Sequence, residues 1–358
     1  MRARSPVRYA VIGTGMMGVE HIHYVGHLDG AEVVALCDPH GPSLDSALAA
    51  AGRRLPTFDD PHRMLDEVDV DAIVLASPNF THHDVLAELW RYEKHLLVEK
   101  PLCTTMEDAL RVAERAAASP AVFWVGMEYR YMAPVARLRE ELEKGVVGDL
   151  HMLFLREHRF PFLPKIGDWN RFSRNTGGTL VEKCCHHFDL MRLLVGSEPL
   201  RVSASAAQNV NHLEERYEGE TPDILDNAFV LVDFENGVRA TLDLCMFAEA
   251  GRHQEEITAT GSRGKVECFL PASTLIRSER SSGRSERFDV PAPADVPSGH
   301  HHASTYFEHV RFLRAIRGEG PVEVTADDGL RAVAIGVAAQ VAAAEHRVVS
   351  MDEVLGDA

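Results

Sequence analysis

Residues Tyr9 to Gly18 read YAVIGTGMMG. Tyr9, Ala10, Val11 and Ile12 make a short apolar strand that runs straight into Gly13-Thr14-Gly15-Met16-Met17-Gly18, and Val19 to Leu28 follow with helical spacing. The next strand, Val33 to Cys37, ends in Asp38, twenty residues after Gly18. Glycines at this spacing, with a strand before, a helix after and an acid at that distance, form the dinucleotide fingerprint. A structural glycine turn in another α/β protein would share the triplet without this context. Gly13 permits the tight turn, Gly15 lets the backbone approach a pyrophosphate, and Gly18 lets the helix pack on the strand. The helix start, with Met16 and Met17 in its first turn, offers N–H groups and a positive dipole end to phosphates. Asp38 bears on the choice of cofactor. A carboxylate accepts hydrogen bonds from a ribose 2′-OH and repels a 2′-phosphate, and Pro39, His40 and Gly41 bring no arginine, so NAD is expected over NADP.

The alternation of strand and helix continues. Ala72 to Ala76 reads as a strand ending in Ser77-Pro78-Asn79, with a helix from Thr81 to Trp90. His95 to Leu102, HLLVEKPL, reads as a buried strand that stops on Glu99, Lys100 and Pro101. A helix from Met106 and a strand at Val122 to Gly126 complete a parallel, doubly wound α/β sheet of the Rossmann kind. Ligands bind such sheets at the carboxyl edge, so Ser77, Asn79, His82, Glu99 and Lys100 are expected to line the nicotinamide end of a cleft. A turn followed by a helix cap explains Ser77 to Asn79 equally well. Pro101 biases Lys100 to extended geometry at the strand's mouth.

A chain of 358 residues suits two domains, here 1–127 for the dinucleotide and 128–358 for substrate and assembly. The 37 Lys and Arg against 54 Asp and Glu leave a formal charge of −17, which repels nucleic acid and anionic membranes. The start, MRARSPVRYAVIG, lacks the apolar run of a signal peptide, and no stretch of about 18 apolar residues could span a bilayer. Six scattered cysteines without a C-x-x-C pair read as reduced thiols, so a cytoplasmic location is expected.

In the second half, Asp149 to Arg159 reads as a long strand, with Met152, Phe154, Arg156 and His158 on one face and Leu153, Leu155, Glu157 and Arg159 on the other. Phe160 to Thr176 is irregular. Its Lys165, Asp168, Trp169, Arg171 and Asn175, with Arg156 and His187, are candidates to bind a polyol, an indole face meeting C–H bonds and polar groups meeting hydroxyls. A solvated surface loop would have the same composition. Gly177-Gly178 opens a helix expected from Thr179 to Val195, on which Glu182, His186 and Asp189 share a face. A carboxylate one turn from a histidine can orient the imidazole for acid/base work, and a surface pair or a satisfied core histidine would give the same spacing. Cys184, Cys185, His186 and His187 point about 100° apart on a helix and cannot converge, so no metal is expected. Strands are expected at Asn227 to Phe234, Val238 to Met246, Gln254 to Gly261 and Lys265 to Phe269, then a mobile hairpin or loop from Ser278 to Gly299. His300, His301 and His302 read as a turn before a helix from Ser304 to Arg317. A last helix to Glu345 is expected to pack between the domains or against the first.

GTGMMG, ASPNFTHH at 76–83, VEKPL at 98–102 and GGTLVEKCCHHFDLMRLL at 177–194 together resemble the glucose-fructose oxidoreductase, inositol dehydrogenase and MocA family of nicotinamide-dependent enzymes. The resemblance implies an α+β second domain with a large, mostly antiparallel open sheet that makes dimer or tetramer contacts. It also implies that Lys100 works beside an acid and a histidine on the later helix. Members that keep the pattern usually carry aspartate where this chain has Glu182, four residues before His186, and an apolar residue where it has Lys183. The implied activity is hydride transfer between NAD(P) and a secondary alcohol of a sugar, inositol or related polyol. A glycosidase working by transient oxidation and elimination, or a sugar-sensing regulator, would use the same fold.

Overall fold

The computed structural model describes residues 5–294, 296–297, 299 and 301–356, and the chain divides into two compact units. One comprises Met1–Tyr131 with Ala294–Leu330, the other Met132–Pro293 with Arg331–Ala358.

The first unit is built on six parallel strands, β1 (Val7–Ile12), β2 (Ala31–Cys37), β3 (Thr57–Phe58), β4 (Ala72–Leu75), β5 (His95–Glu99) and β6 (Phe123–Gly126). Their order is β3-β2-β1-β4-β5-β6. Val11, Val74, Leu97 and Val125 are wholly buried, as in a parallel sheet covered on both faces. The order reverses between β1 and β4, where Ile12 pairs with Leu75, so the loops after these strands lie together at the carboxyl edge.

Helix Ser304–Ile316 belongs to this unit, whereas the sequence reading placed everything beyond residue 127 in the second. Its Phe312 packs edge-on against the rings of Tyr9 and Trp124, each at 6.1 Å, and Trp124 Nε1 donates to Glu308 Oε1 at 3.3 Å. Contacts between residues so distant along the chain leave no mark on local periodicity. Helix Ala326–Glu345 opens with reciprocal caps, Thr325 N to Asp328 Oδ2 (2.9 Å) and Asp328 N to Thr325 Oγ1 (3.1 Å). It belongs to the first unit as far as Leu330 and to the second from Arg331.

The second unit carries nine strands: β7 (Leu150–His158), β8 (Pro199–Ala207), β9 (Asn227–Phe234), β10 (Arg239–Cys245), β11 (Glu255–Gly261), β12 (Gly264–Leu270), β13 (Thr274–Glu279), β14 (Ser285–Asp289) and β15 (Val349–Ser350). The order is β14-β13-β12-β11-β7-β10-β9-β8-β15, antiparallel except for β7 beside β10. Of the hairpin or loop expected from Ser278, the structure has the hairpin, the end of β13 pairing with β14. On β7, Leu153, Leu155 and Glu157 are buried, and Met152, Phe154, Arg156 and His158 lie on the other, open face. Among the described residues no helix is long and apolar enough to cross a membrane.

Candidate active site

In the first unit the glycine turn packs as its spacing requires. Gly13 has φ +84°, and a Cβ there would collide with the Ser77 amide, so the loops after β1 and β4 touch backbone to backbone. A Cβ on Gly18 would collide with the Gly13 carbonyl. Gly15 differs, because a Cβ there would meet nothing within 4 Å. That opening lies at the N-terminus of helix Met16–Val25, where Met16 is exposed and Met17 half-buried. Asp38 Oδ2 accepts from Thr14 N (2.7 Å) and Thr14 Oγ1 (3.1 Å), and Oδ1 accepts from His40 N (2.8 Å), which fixes the carboxylate beside the turn. Ser77 Oγ bonds Thr81 Oγ1 at 2.7 Å. Asn79 is only 8 % exposed, and its Nδ2 has no partner among the described residues. An open turn, a helix N-terminus, an acid and a buried amide donor in need of an acceptor together fit a nicotinamide dinucleotide.

Two residues expected at the cofactor are engaged elsewhere. His82 is fully buried, with Nδ1 against Pro101 O (3.0 Å) and Leu102 O (3.3 Å) and Nε2 against Ser77 O (3.1 Å). Burial holds its pKa below the usual histidine value. It lies between the two loops, and its one N–H is donated to a backbone carbonyl. Glu99 is buried and turned into the unit, where Oε1 meets His21 Nε2 at 2.8 Å and Oε2 accepts from Lys100 N at 3.1 Å. Lys100, half-buried, stands at the end of β5.

In the second unit the expected single helix is two, Thr179–Glu182 and Cys185–Val195, joined by a tightened turn at Lys183 and Cys184. Glu182 and His186 are both buried. Lys183, which had no role in the sequence, has one here. Its Nζ lies 3.0 Å from Glu157 Oε1, while His187 Nε2 lies 3.2 Å from Oε2 and Arg159 Nη1 3.3 Å from Oε1. Burial works to raise the Glu157 pKa, but Lys183, His187 and Arg159 outweigh it and hold the carboxyl well below its usual range. His187, a substrate candidate, thus lies within ion-pair distance of Glu157. Arg156 is not brought to this place at all, because the pleat puts it on the open face, paired with Glu256 at 2.6 Å. A glutamate on the apolar side of an alternating strand was the one sequence signal for Glu157.

The Phe160 to Thr176 stretch is more ordered than expected, with a 3₁₀ segment Ile166–Arg171 and a helical turn Ser173–Thr176. Arg171 is buried and bonds Phe162 O (3.3 Å) and Glu215 Oε2 (3.2 Å), a staple to a second loop that the sequence reading passed over. That loop also engages Ser173 through Asp223 Oδ1 at 2.6 Å. Asn175 Nδ2 donates to Trp169 O at 3.0 Å, and Lys165, Asp168 and Trp169 are half-buried.

Comparison with known proteins agrees with this geometry. Residues 7–127 match the family model described as "Oxidoreductase family, NAD-binding Rossmann fold", and residues 139–351 its "C-terminal alpha/beta domain". The chain belongs to the glucose-fructose oxidoreductase, inositol dehydrogenase and MocA family. Within this family it is 32 % identical to inositol 2-dehydrogenase 2 of Saccharopolyspora erythraea, over 76 % of each chain. It is 26 % identical to myo-inositol 2-dehydrogenase of Thermotoga maritima, over 98 % of this chain and all of that one. Its fold is that of levoglucosan dehydrogenase in complex with NADH and levoglucosan, at TM-score 0.85 and 20 % identity, over 97 % of this chain and all of the other.

Replacing Lys183 by Met takes the ammonium from a fully buried carboxylate and is expected to cost about 3 kcal/mol in urea unfolding. The lowered pKa of Glu157 means its pairing stabilises the fold above the ordinary carboxyl pKa of 4.5, and that this stability drains away as pH falls through the depressed value. The acid-side decline in stability should therefore be shallower in the Met variant.

Proposed function

We propose that this protein is an NAD-dependent dehydrogenase acting on a secondary alcohol of inositol or a related polyol or sugar. The observation that carries the reading is the open turn at Gly15 after β1 in a matched NAD-binding Rossmann domain, with Lys100 at the end of β5, two strands over in the same sheet. The names of the inositol dehydrogenases it resembles supply the substrate class. The six free thiols agree with a reducing, cytoplasmic setting.

The nicotinamide, when bound, supplies hydride acceptance from the carbinol carbon. The chain's own residues hold the alcohol and manage one proton. Lys100 hydrogen-bonds the reacting oxygen, His186 removes the hydroxyl proton, and Glu182 orients and stabilises the imidazole as it becomes charged. The longer glutamate takes the place of the family's usual aspartate. Lys165, Asp168, Trp169 and Asn175 form the wall that reads the polyol. Asp38 favours NAD over NADP, because it would face a 2′-phosphate with like charge.

The open face of the nine-stranded sheet takes a second copy of the chain. Phe229 is 68 % exposed there, with Met152 and Leu231 also exposed, around a hollow of about 400 Å³ lined by Phe154, Ser203, Thr241 and Asp243. Two of its cations are already paired within the chain, Arg156 with Glu256 and His158 with Asp243 at 3.0 Å, so a copy meets them neutralised beside the apolar surface.

A spectrophotometric screen of inositols, sugars and polyols with NAD and NADP tests the reading, which falls if no NADH accumulates with any of them. Lys100→Met should bind NAD nearly as wild type while kcat drops by about a hundredfold or more. Asp38→Ser should narrow the preference for NAD in kcat/KM, and an unchanged ratio would mean the ribose is read elsewhere. Phe229→Glu should shift the protein to monomer in light scattering without altering its circular dichroism.

A further inference from the structure

Behind Lys100 a line of hydrogen bonds runs into the first unit. Lys100 N donates to Glu99 Oε2 (3.1 Å), Glu99 Oε1 meets His21 Nε2 (2.8 Å), and His21 Nδ1 meets His309 Nε2 (2.8 Å), with the two imidazoles edge to face. His21 and His309 are both fully buried, one on helix Met16–Val25 and the other 288 residues away on helix Ser304–Ile316. Gly126 gives the Glu99 carboxyl its room, since a Cβ there would press on Cδ and Oε1 at 3.4 Å.

The protons in this line can be assigned from its partners. His309 Nδ1 has none among the described residues, so the single N–H of a neutral imidazole belongs on Nε2 and is donated to His21 Nδ1. His21 then carries its proton on Nε2 and donates to Glu99. Both imidazole donors point toward Glu99, which the Lys100 amide meets from the other end, so the line converges on an acceptor-only carboxylate. Burial alone would raise the Glu99 pKa, yet the hydrogen bond from His21, with the charges of Lys100 and His301, brings it below its usual value. Burial keeps His309 well below its own.

We infer that His309 and His21 are positioning residues for Lys100: by donating in series to Glu99 they keep it a carboxylate, which fixes the Lys100 peptide and sets the field at the lysine ammonium. The other ionisable groups facing this line are held locally. Glu20 takes His301 Nδ1 at 3.0 Å and Thr305 Oγ1 at 2.7 Å, and Glu308 takes Trp124 Nε1. Burial pushes both Glu308 and Glu128 upward, and Tyr9 borders the His309 ring at 5.9 Å. The inference deepens the assignment of Lys100 made above but is tested without turnover, so the two can fail separately.

The test is competitive acetylation of the full-length protein with acetic anhydride across pH, Lys100 being followed by peptide mass spectrometry. In His309→Leu nothing holds the His21 proton on Nε2, the bond to Glu99 weakens, and the buried carboxyl takes up a proton more readily and withdraws its charge from Lys100. The Lys100 midpoint is then expected to move down in pH, with acetylation at least about threefold faster at about pH 8. His309→Gln, whose amide can donate to His21, should restore the wild-type midpoint. Glu99→Gln, which removes the charge directly and keeps the shape, should give the same downward move and serves if His309→Leu does not fold. NADH fluorescence titration checks that each variant is folded. A Lys100 midpoint unchanged in Glu99→Gln, or moved as far in His309→Gln as in His309→Leu, overturns the inference. If the midpoints move as stated while Lys100→Met turns over normally, the network stands and the catalytic assignment of Lys100 falls.

Discussion

A carboxylate taken out of water costs several kcal/mol unless opposite charge and hydrogen bonds meet it on the spot, and each unit of this protein holds one that is met this way. Glu157 is met by Lys183, His187 and Arg159, and Glu99 by His21 and the Lys100 amide. These demands act on packing as well as on charge. Apolar faces alone let a helix slide and rotate by small amounts at little cost. A helix that must deliver His187 to Glu157 has one register on β7, since a shift of one residue would turn the imidazole by about 100° and leave the charge stranded. In the same way His21 and His309 fix two helices of the first unit to the end of β5 and to each other.

What the sequence made legible follows from the range of the physics involved. The glycine turn could be read because its constraint is local: Gly13 needs a positive φ, and Gly18 needs the absence of a Cβ against a carbonyl five residues back. Strands β9 to β12 could be read because side chains alternate with a period of two. The same period sorted β7 correctly into two faces but carried no label for which face is covered, and so Arg156 was assigned to a site from which the pleat turns it away. His82 and Glu99 were placed at the right edge of the sheet but with the wrong orientation, because direction at a strand end is set by partners such as Pro101 O and His21 that no local pattern announces. The place of residues 294–330 in the first unit rests on ring contacts and hydrogen bonds to residues such as Tyr9, His21 and Trp124, which only the folded chain brings together.

The charge of the whole chain and the charges of its interior obey different rules. On the surface an excess of acids is screened by water and salt, so a formal charge of −17 is tolerable. Inside the first unit Glu20, Glu99, Glu128 and Glu308 are all buried, and there each ionised acid needs its own cation or donors. The cations within reach are few, Lys100 and His301 among them, and the acids divide accordingly. Glu20 and Glu99, with histidine partners, are held below the usual carboxyl pKa, whereas burial and the neighbouring acids drive Glu128 and Glu308 above it. A lysine at position 100 therefore answers to two surroundings at once. Its positive charge helps Glu99 remain ionised on the inner side, while the residue itself stands at the carboxyl end of β5, the edge at which such sheets receive ligands. An arginine would keep the charge but could not give up a proton, and a neutral side chain would leave two buried acids to share what remains of the positive field. The requirement for a positive charge at this one strand end follows from the interior behind it as much as from any chemistry in front.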